Sequence, residues 1–143
     1  MPVPAFGFSF GDFVSAIKLI NDIRKALRDT NGAADEVRIL LQDLEQLEAL
    51  VKHLSHDDWG KGGNPVHINA VRGVALACQA PLRDFLAQIE KYKIVVVNQP
   101  HGAKRWRSGA RKAQWAVEMK SEVSKFRAII VFKIVTINAL LIV

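Results

Sequence analysis

The last third of this 143-residue chain constrains its fold most. Met119, Val123, Phe126, Ile130, Ile134, Ile137 and Leu141 recur at spacings of four or three, the period that lines side chains along one face of an α-helix. From about Lys104 to Val143 the chain reads as one long helix, and about 35 residues at 1.5 Å each make a rod of about 50 Å. A rod with an apolar stripe needs other helices against it.

The remaining chain supplies them. Phe13, Ile17, Ile20, Ile23 and Leu27 form an apolar stripe opposite Ser15, Lys18, Asp22, Lys25 and Asp29, so a first helix is predicted over about 11–28, ended by Thr30, Asn31 and Gly32. A second opens with Asp35 and Glu36, where the helix dipole favours carboxylates. It carries the seam Val37, Leu40, Leu41, Leu44, Leu47, Val51 and Leu54 as far as Ser55. Asn64 before Pro65 is a cap followed by a first-turn proline. Ile68, Val71, Ala75, Cys78, Leu82, Phe85, Ile89 and Tyr92 then predict a third helix over about 65–92, kinked near 77–81 by Pro81. Ile94 to Val97 has no partner strand and reads as a packed connection. These helices predict an all-α, antiparallel four-helix bundle with a long C-terminal helix and a Pro-kinked third helix. Residues 1–143 form one domain, with 1–10 as a mobile hydrophobic N-terminal segment. The uncapped apolar end at Leu140 to Val143 predicts that a longer protein continues beyond it.

Composition narrows the function classes. Half of the residues are hydrophobic and 24% are charged, as in a globular chain. The sole cysteine, Cys78, excludes an internal disulfide and reads as a buried structural thiol in a cytoplasmic protein. Residues 1–60 carry six Lys/Arg against ten Asp/Glu, net −4, whereas residues 61–143 carry fourteen against four, net +10. Such a polarity either pairs within the bundle or offers a cationic face to an anionic partner. From Ala128 to Val143 only Lys133, Thr136 and Asn138 interrupt an apolar run, shorter than the ~20 residues a spanning helix needs.

No residue set announces catalysis. Gly60-Lys61-Gly62-Gly63 lacks the order of a phosphate loop. His53 and His56 beside Asp57 and Asp58 read as solvated helix-end residues and not as a metal site. The chain is therefore read as a non-enzyme without metal, cofactor or small-molecule substrate. Two surface candidates remain. The cluster Lys104, Arg105, Arg107, Arg111 and Lys112, with Trp106 inside it, suits an anionic lipid surface at about 1 kcal/mol per basic residue. It contains no groove-reading element for a specific nucleic acid. Phe6, Phe8, Phe10 and Phe13, spaced by glycines and followed by Ile17 and Ile20, belong either to the core or to a bilayer-entering segment.

The stretches Phe6 to Ile23, Pro81 to Tyr92 and Ala113 to Lys120 together resemble helical N-terminal domains of fungal NLR-like proteins. These are similar in layout to HeLo and HeLo-like cell-death domains. The resemblance spans nearly the whole chain and rests on packing motifs. It implies a cytoplasmic bundle that oligomerises on activation, moves to the plasma membrane and inserts its N-terminal segment, here Phe6 to Ile20, into anionic lipid. It also admits a module that only oligomerises or docks a partner through the first helix or the exposed end of the last.

Overall fold

The computed structural model describes residues 10–31, 35–56, 58–97 and 104–142, with side chains described for 10–29, 35–56, 58–91 and 119–142. The described chain is all-α, with no strand among the described residues. Its helices are α1 (Phe10–Asn31), α2 (Asp35–Ser55), α3 (Pro65–Leu76), α4 (Gln79–Val97) and α5 (Lys104–Ile142). Residues 1–9, assigned above to a mobile segment, lie outside the described residues.

Local chemistry accounts for the helix ends. α2 begins with Asp35 and Glu36 and ends with Lys52 and His53, so charges of the favourable sign sit at both ends of its dipole. At α3 the side chain of Asn64 accepts from the Val66 N–H at 2.9 Å, with Pro65 next to it. The single kinked helix expected over 65–92 is instead two helices. Pro81 lacks the N–H that the Ala77 carbonyl would accept, and its ring crowds that carbonyl. The chain turns at Ala77 and Cys78, where the Cys78 N–H reaches the Ala75 carbonyl at 3.3 Å. Helical bonding resumes with the Leu82 N–H on the Cys78 carbonyl at 3.1 Å. Ile94 to Val97 was expected to be a connection, yet α4 runs through it; β-branching lowers helix propensity only slightly.

The ties between helices define their directions. Phe13 of α1 and Leu54 of α2 both meet Arg72, while Arg24 meets Glu48 further along; α1 and α2 therefore run antiparallel. Lys120 reaches Glu36 at 4.0 Å, and two turns onward along both helices Arg127 reaches Asp43 at 2.7 Å, so α2 and α5 run parallel. The Phe85 and Phe126 rings stack at 4.1 Å, and the charge of Lys133 acts on Cys78; α4 thus runs against α5. Gln79, the first residue of α4, donates to the Asp12 carbonyl in the first turn of α1 at 2.8 Å, and these two helices pack side by side and parallel. Consecutive rods α1, α2, α4 and α5 thus alternate in direction, while the pairs that pack most closely, α1 with α4 and α2 with α5, run parallel. α3, which contacts α1, α2 and α5, carries the chain across the end where α2 finishes, so that α4 packs beside α1 and not beside α2.

Each predicted stripe supplies the core. Phe13, Ile20, Ile23 and Leu27 of α1 pack with Leu40, Leu44, Leu47, Val51 and Leu54 of α2. Leu82, Phe85 and Ile89 of α4 and Val123, Phe126, Ile130, Ile134 and Ile137 of α5 complete the cluster. Arg72 closes one end of it. Its Nε donates to the Leu54 carbonyl at 3.1 Å and its Nη2 to that of His56 at 3.4 Å, satisfying acceptors that the end of α2 leaves without intrahelical partners. Its guanidinium lies 5.4 Å from the Trp59 ring centre and 6.0 Å from that of Phe13, within cation–π range.

The loop between α2 and α3 depends on two glycines in the left-handed region, Gly60 at φ 77° and Gly62 at φ 83°. A Cβ on Gly60 would stand 2.8 Å from the Ile68 side chain, whereas one on Gly62 would meet nothing within 4 Å. Gly62→Ala is expected to cost about 1 kcal/mol from backbone strain alone. Gly60→Ala should cost about 2 kcal/mol, because it adds a clash with the half-buried side chain of Ile68. Urea unfolding of both variants checks the order; equal costs would mean that the loop moves away from Ile68.

Candidate functional site

The six candidates for membrane insertion separate. Phe6 and Phe8 lie outside the described residues. Phe10 opens α1 and is 64% exposed, with Val14 exposed one turn on. Ile17 is half-buried against the core. Phe13 and Ile20 are 3% and 0% exposed; in this conformation they are core residues, and lipid can meet them only if α1 leaves the bundle. The three-and-four spacing that marked them as one apolar face is the spacing that points them inward. Among the described residues of the predicted segment, Phe10 and Val14 present an apolar surface.

The candidate anion-binding residues Lys104, Arg105, Arg107, Arg111 and Lys112 occupy the first turns of α5. Phe10 lies at the opposite end of the helix array. The start of α1 touches the start of α4 through Gln79, and the adjacent Cys78 senses Lys133 in the second half of α5. Lys112 and Lys133 are separated along α5 by about 30 Å at 1.5 Å per residue. The fold therefore places the described start of α1, with Phe10 and Phe13, at the end of the array opposite the first turns of α5.

A third surface gives residues to the docking surface expected at the exposed end of the last helix. Beyond its buried stripe, the second half of α5 exposes Phe132 at 69%, Val135 at 61% and Ile142 at 86%, with Ile129, Ala128 and Ala139 also exposed. Among these turns Lys133 is the only charged residue from Ala128 to Ile142. An open hollow of about 470 Å³ lies along the same face, lined by Ser124, Arg127, Ala128, Val131, Phe132 and Val135. A helix that is apolar on all sides is ordinarily covered on all sides. The signal of this surface in the sequence is the near-continuous apolar run from Ala128 onward. No helix among the described residues is long and apolar enough to cross a membrane.

Other reactive groups are structural in their surroundings. Cys78 is buried, and burial pushes its thiol up to about 11, against the opposing charge of Lys133; a thiol so placed is a poor nucleophile at neutral pH. His53 packs edge-on to Trp59 at 6.3 Å. Among the described residues no three His, Cys, Asp or Glu side chains gather as metal ligands. A groove of about 440 Å³ between α4 and α5 is lined by Asp84, Glu122, Lys125 and the edges of Phe85 and Phe126. It is open and mixed in charge, unlike the enclosed apolar sites that hold small ligands.

Comparison of the chain with protein-family models, with curated proteins and with solved structures finds no match.

Proposed function

We propose that this chain is a helical interaction and oligomerisation module of a cell-death or innate-immunity protein of the fungal NLR-like kind. In this reading α1, α2, α4 and α5 are the four rods of a bundle, and α3 is a short helix across one end. The observation that carries the reading is the uncovered apolar face of α5, for which a binding surface is the economical physical explanation. The resemblance in Phe6 to Ile23, Pro81 to Tyr92 and Ala113 to Lys120 supplies the biological setting.

Membrane targeting is the second reading, and the exposure of Phe10 and Val14 at the start of α1 favours it. Anionic lipid would meet that end of the bundle, with the basic first turns of α5 engaging lipid only when the rods lie flat on the surface. The two readings part on one substitution. Phe10→Glu places a charge where the membrane reading needs an apolar anchor and touches no part of α5. If the chain is an interaction module, wild type and Phe10→Glu self-associate equally and neither empties dye from anionic vesicles. Salt-sensitive leakage by the wild type that Phe10→Glu abolishes would replace the module by a membrane effector.

A further inference from the structure

We infer that the exposed face of α5 pairs with the same face of a second copy of this chain, antiparallel, about a two-fold axis through Val135. The inference rests on the reading of the chain as an oligomerising module and gives that module its contact surface. Ala128, Phe132, Val135, Ala139 and Ile142 are all exposed and follow one another at four, three, four and three residues. That is the seam spacing of a coiled coil. The seam is separate from the buried stripe that holds α5 in the bundle. It stops at Lys125, the next position upstream in the same register, which is exposed and charged.

The order of sizes along the seam selects the partner and its direction. With the axis at Val135, Ala128 stands seven residues to one side and Ile142 seven to the other, so each meets its opposite in the second copy. Phe132 and Ala139 stand three and four residues away and meet likewise. Large residues then face small ones at both pairs. The Ile142 of the second copy falls on the hollow beside Ala128, filling space that the monomer leaves open. A parallel pair would put Phe132 on Phe132 and alanine on alanine, crowding one layer and leaving voids in two.

The polar surroundings permit desolvation. Thr136 donates its hydroxyl to the Phe132 carbonyl at 2.8 Å, so this group at the seam's edge is satisfied within its own helix. Arg127 is paired with Asp43 at 2.7 Å and Lys125 with Glu122 at 3.8 Å. Cations bordering the seam are thus neutralised inside each monomer, and two copies of a chain with net charge +6 meet there without facing like charges. The area sets the strength. A strip about 22 Å long and about 10 Å wide per copy is about 220 Å², about 440 Å² for the pair, well below the ~1,000 Å² lower bound for stable specific association. The dimer is therefore weak in isolation and is reinforced when other parts of an assembly raise the local concentration.

Sedimentation of the whole chain across about 1 μM to 1 mM reads the dimer directly. Wild type is expected to dimerise within that range. Phe132→Glu and Val135→Glu, both on exposed positions, should weaken dimerisation at least about 30-fold with unchanged helicity and thermal midpoint. Direction is read by cysteines. Val135→Cys should cross-link to itself on oxidation, and Ala128→Cys should cross-link to Ile142→Cys more readily than either does to itself. Buried Cys78 gives no background. A wild type that stays monomeric throughout overturns the proposal. Self-association that survives Phe132→Glu also overturns it, while the module reading stands on another surface. Self-cross-linking of Ala128→Cys would make the pair parallel, against the proposal. Vesicle binding lost in Phe132→Glu, with no dimer in solution, would make lipid the cover of this face and would remove both readings together.

Discussion

Phe126→Ala is expected to cost about 3 to 5 kcal/mol of folding free energy, the range for deleting an enclosed aromatic side chain. Phe126 and Phe85 are each 3% exposed, and their rings lie 4.1 Å apart at an interplanar angle of 4°. Removing one ring loses its transfer free energy and also strips one face of the other. A void at this point is hard to close, since neighbours on both helices are held by their own core contacts. Phe126→Leu keeps most of the volume and should cost about 1.5 kcal/mol. A double-mutant cycle with Phe85→Leu should leave a coupling of about 1 kcal/mol for the ring pair. Urea midpoints for the four variants, the double included, provide the measurement. A loss under about 1 kcal/mol for Phe126→Ala would mean that the α4–α5 joint is loose and that the groove beside it opens readily.

Periodicity read the helices well because each turn of a buried helix repeats the same physical demand. The α2 seam from Val37 to Leu54 and the α5 stripe from Met119 to Ile137 needed no knowledge of their neighbours. Asn64 with Pro65 located the start of α3 through purely local chemistry. Pro81 marked the right place in the chain but not the outcome. A missing N–H and a crowded carbonyl are compatible with either a bend or a full break, and the packing of α3 against α5 decides which is stable. Which rods lie side by side was equally out of reach, because it depends on where α3 carries the chain across the end of the array. Burial was the property that sequence left open for the candidate insertion residues. Phe13 and Ile20 share an apolar stripe with the core-facing residues of α1, and aromatic content by itself does not distinguish a lipid anchor from a core residue. The uncovered seam of α5 was written in the sequence as a second set of four-and-three spacings. It became visible only once the structure assigned the first set, Met119 to Leu141, to the interior.

Glu48→Ala should be nearly as damaging as the loss of Phe126, at about 2 to 4 kcal/mol, because it orphans a charge between α1 and α2. Glu48 is 8% exposed; its Oε2 accepts from Arg24 Nη1 at 2.6 Å and its Oε1 from Lys52 at 3.0 Å. The Arg24 side chain is 19% exposed, and its Nε is already buried without a hydrogen-bond partner. Loss of the carboxylate leaves that guanidinium largely desolvated and uncompensated, which costs more than the pair itself contributes. The reverse change is milder. Arg24→Met keeps the apolar stem and leaves Glu48 still paired with Lys52, so a cost of about 1 kcal/mol is expected. Replacing both, as Arg24→Met with Glu48→Leu, should restore much of the loss, since an apolar contact of similar volume serves as well as a buried ion pair. Hydrogen exchange adds the location. If the pair mainly holds α1 in place, Glu48→Ala will speed exchange over residues 13–27 more than over α4 and the second half of α5. Uniform acceleration would mean that α1 leaves only when the whole bundle unfolds, and a membrane role requiring Phe13 and Ile20 to reach lipid would then have no low-cost route.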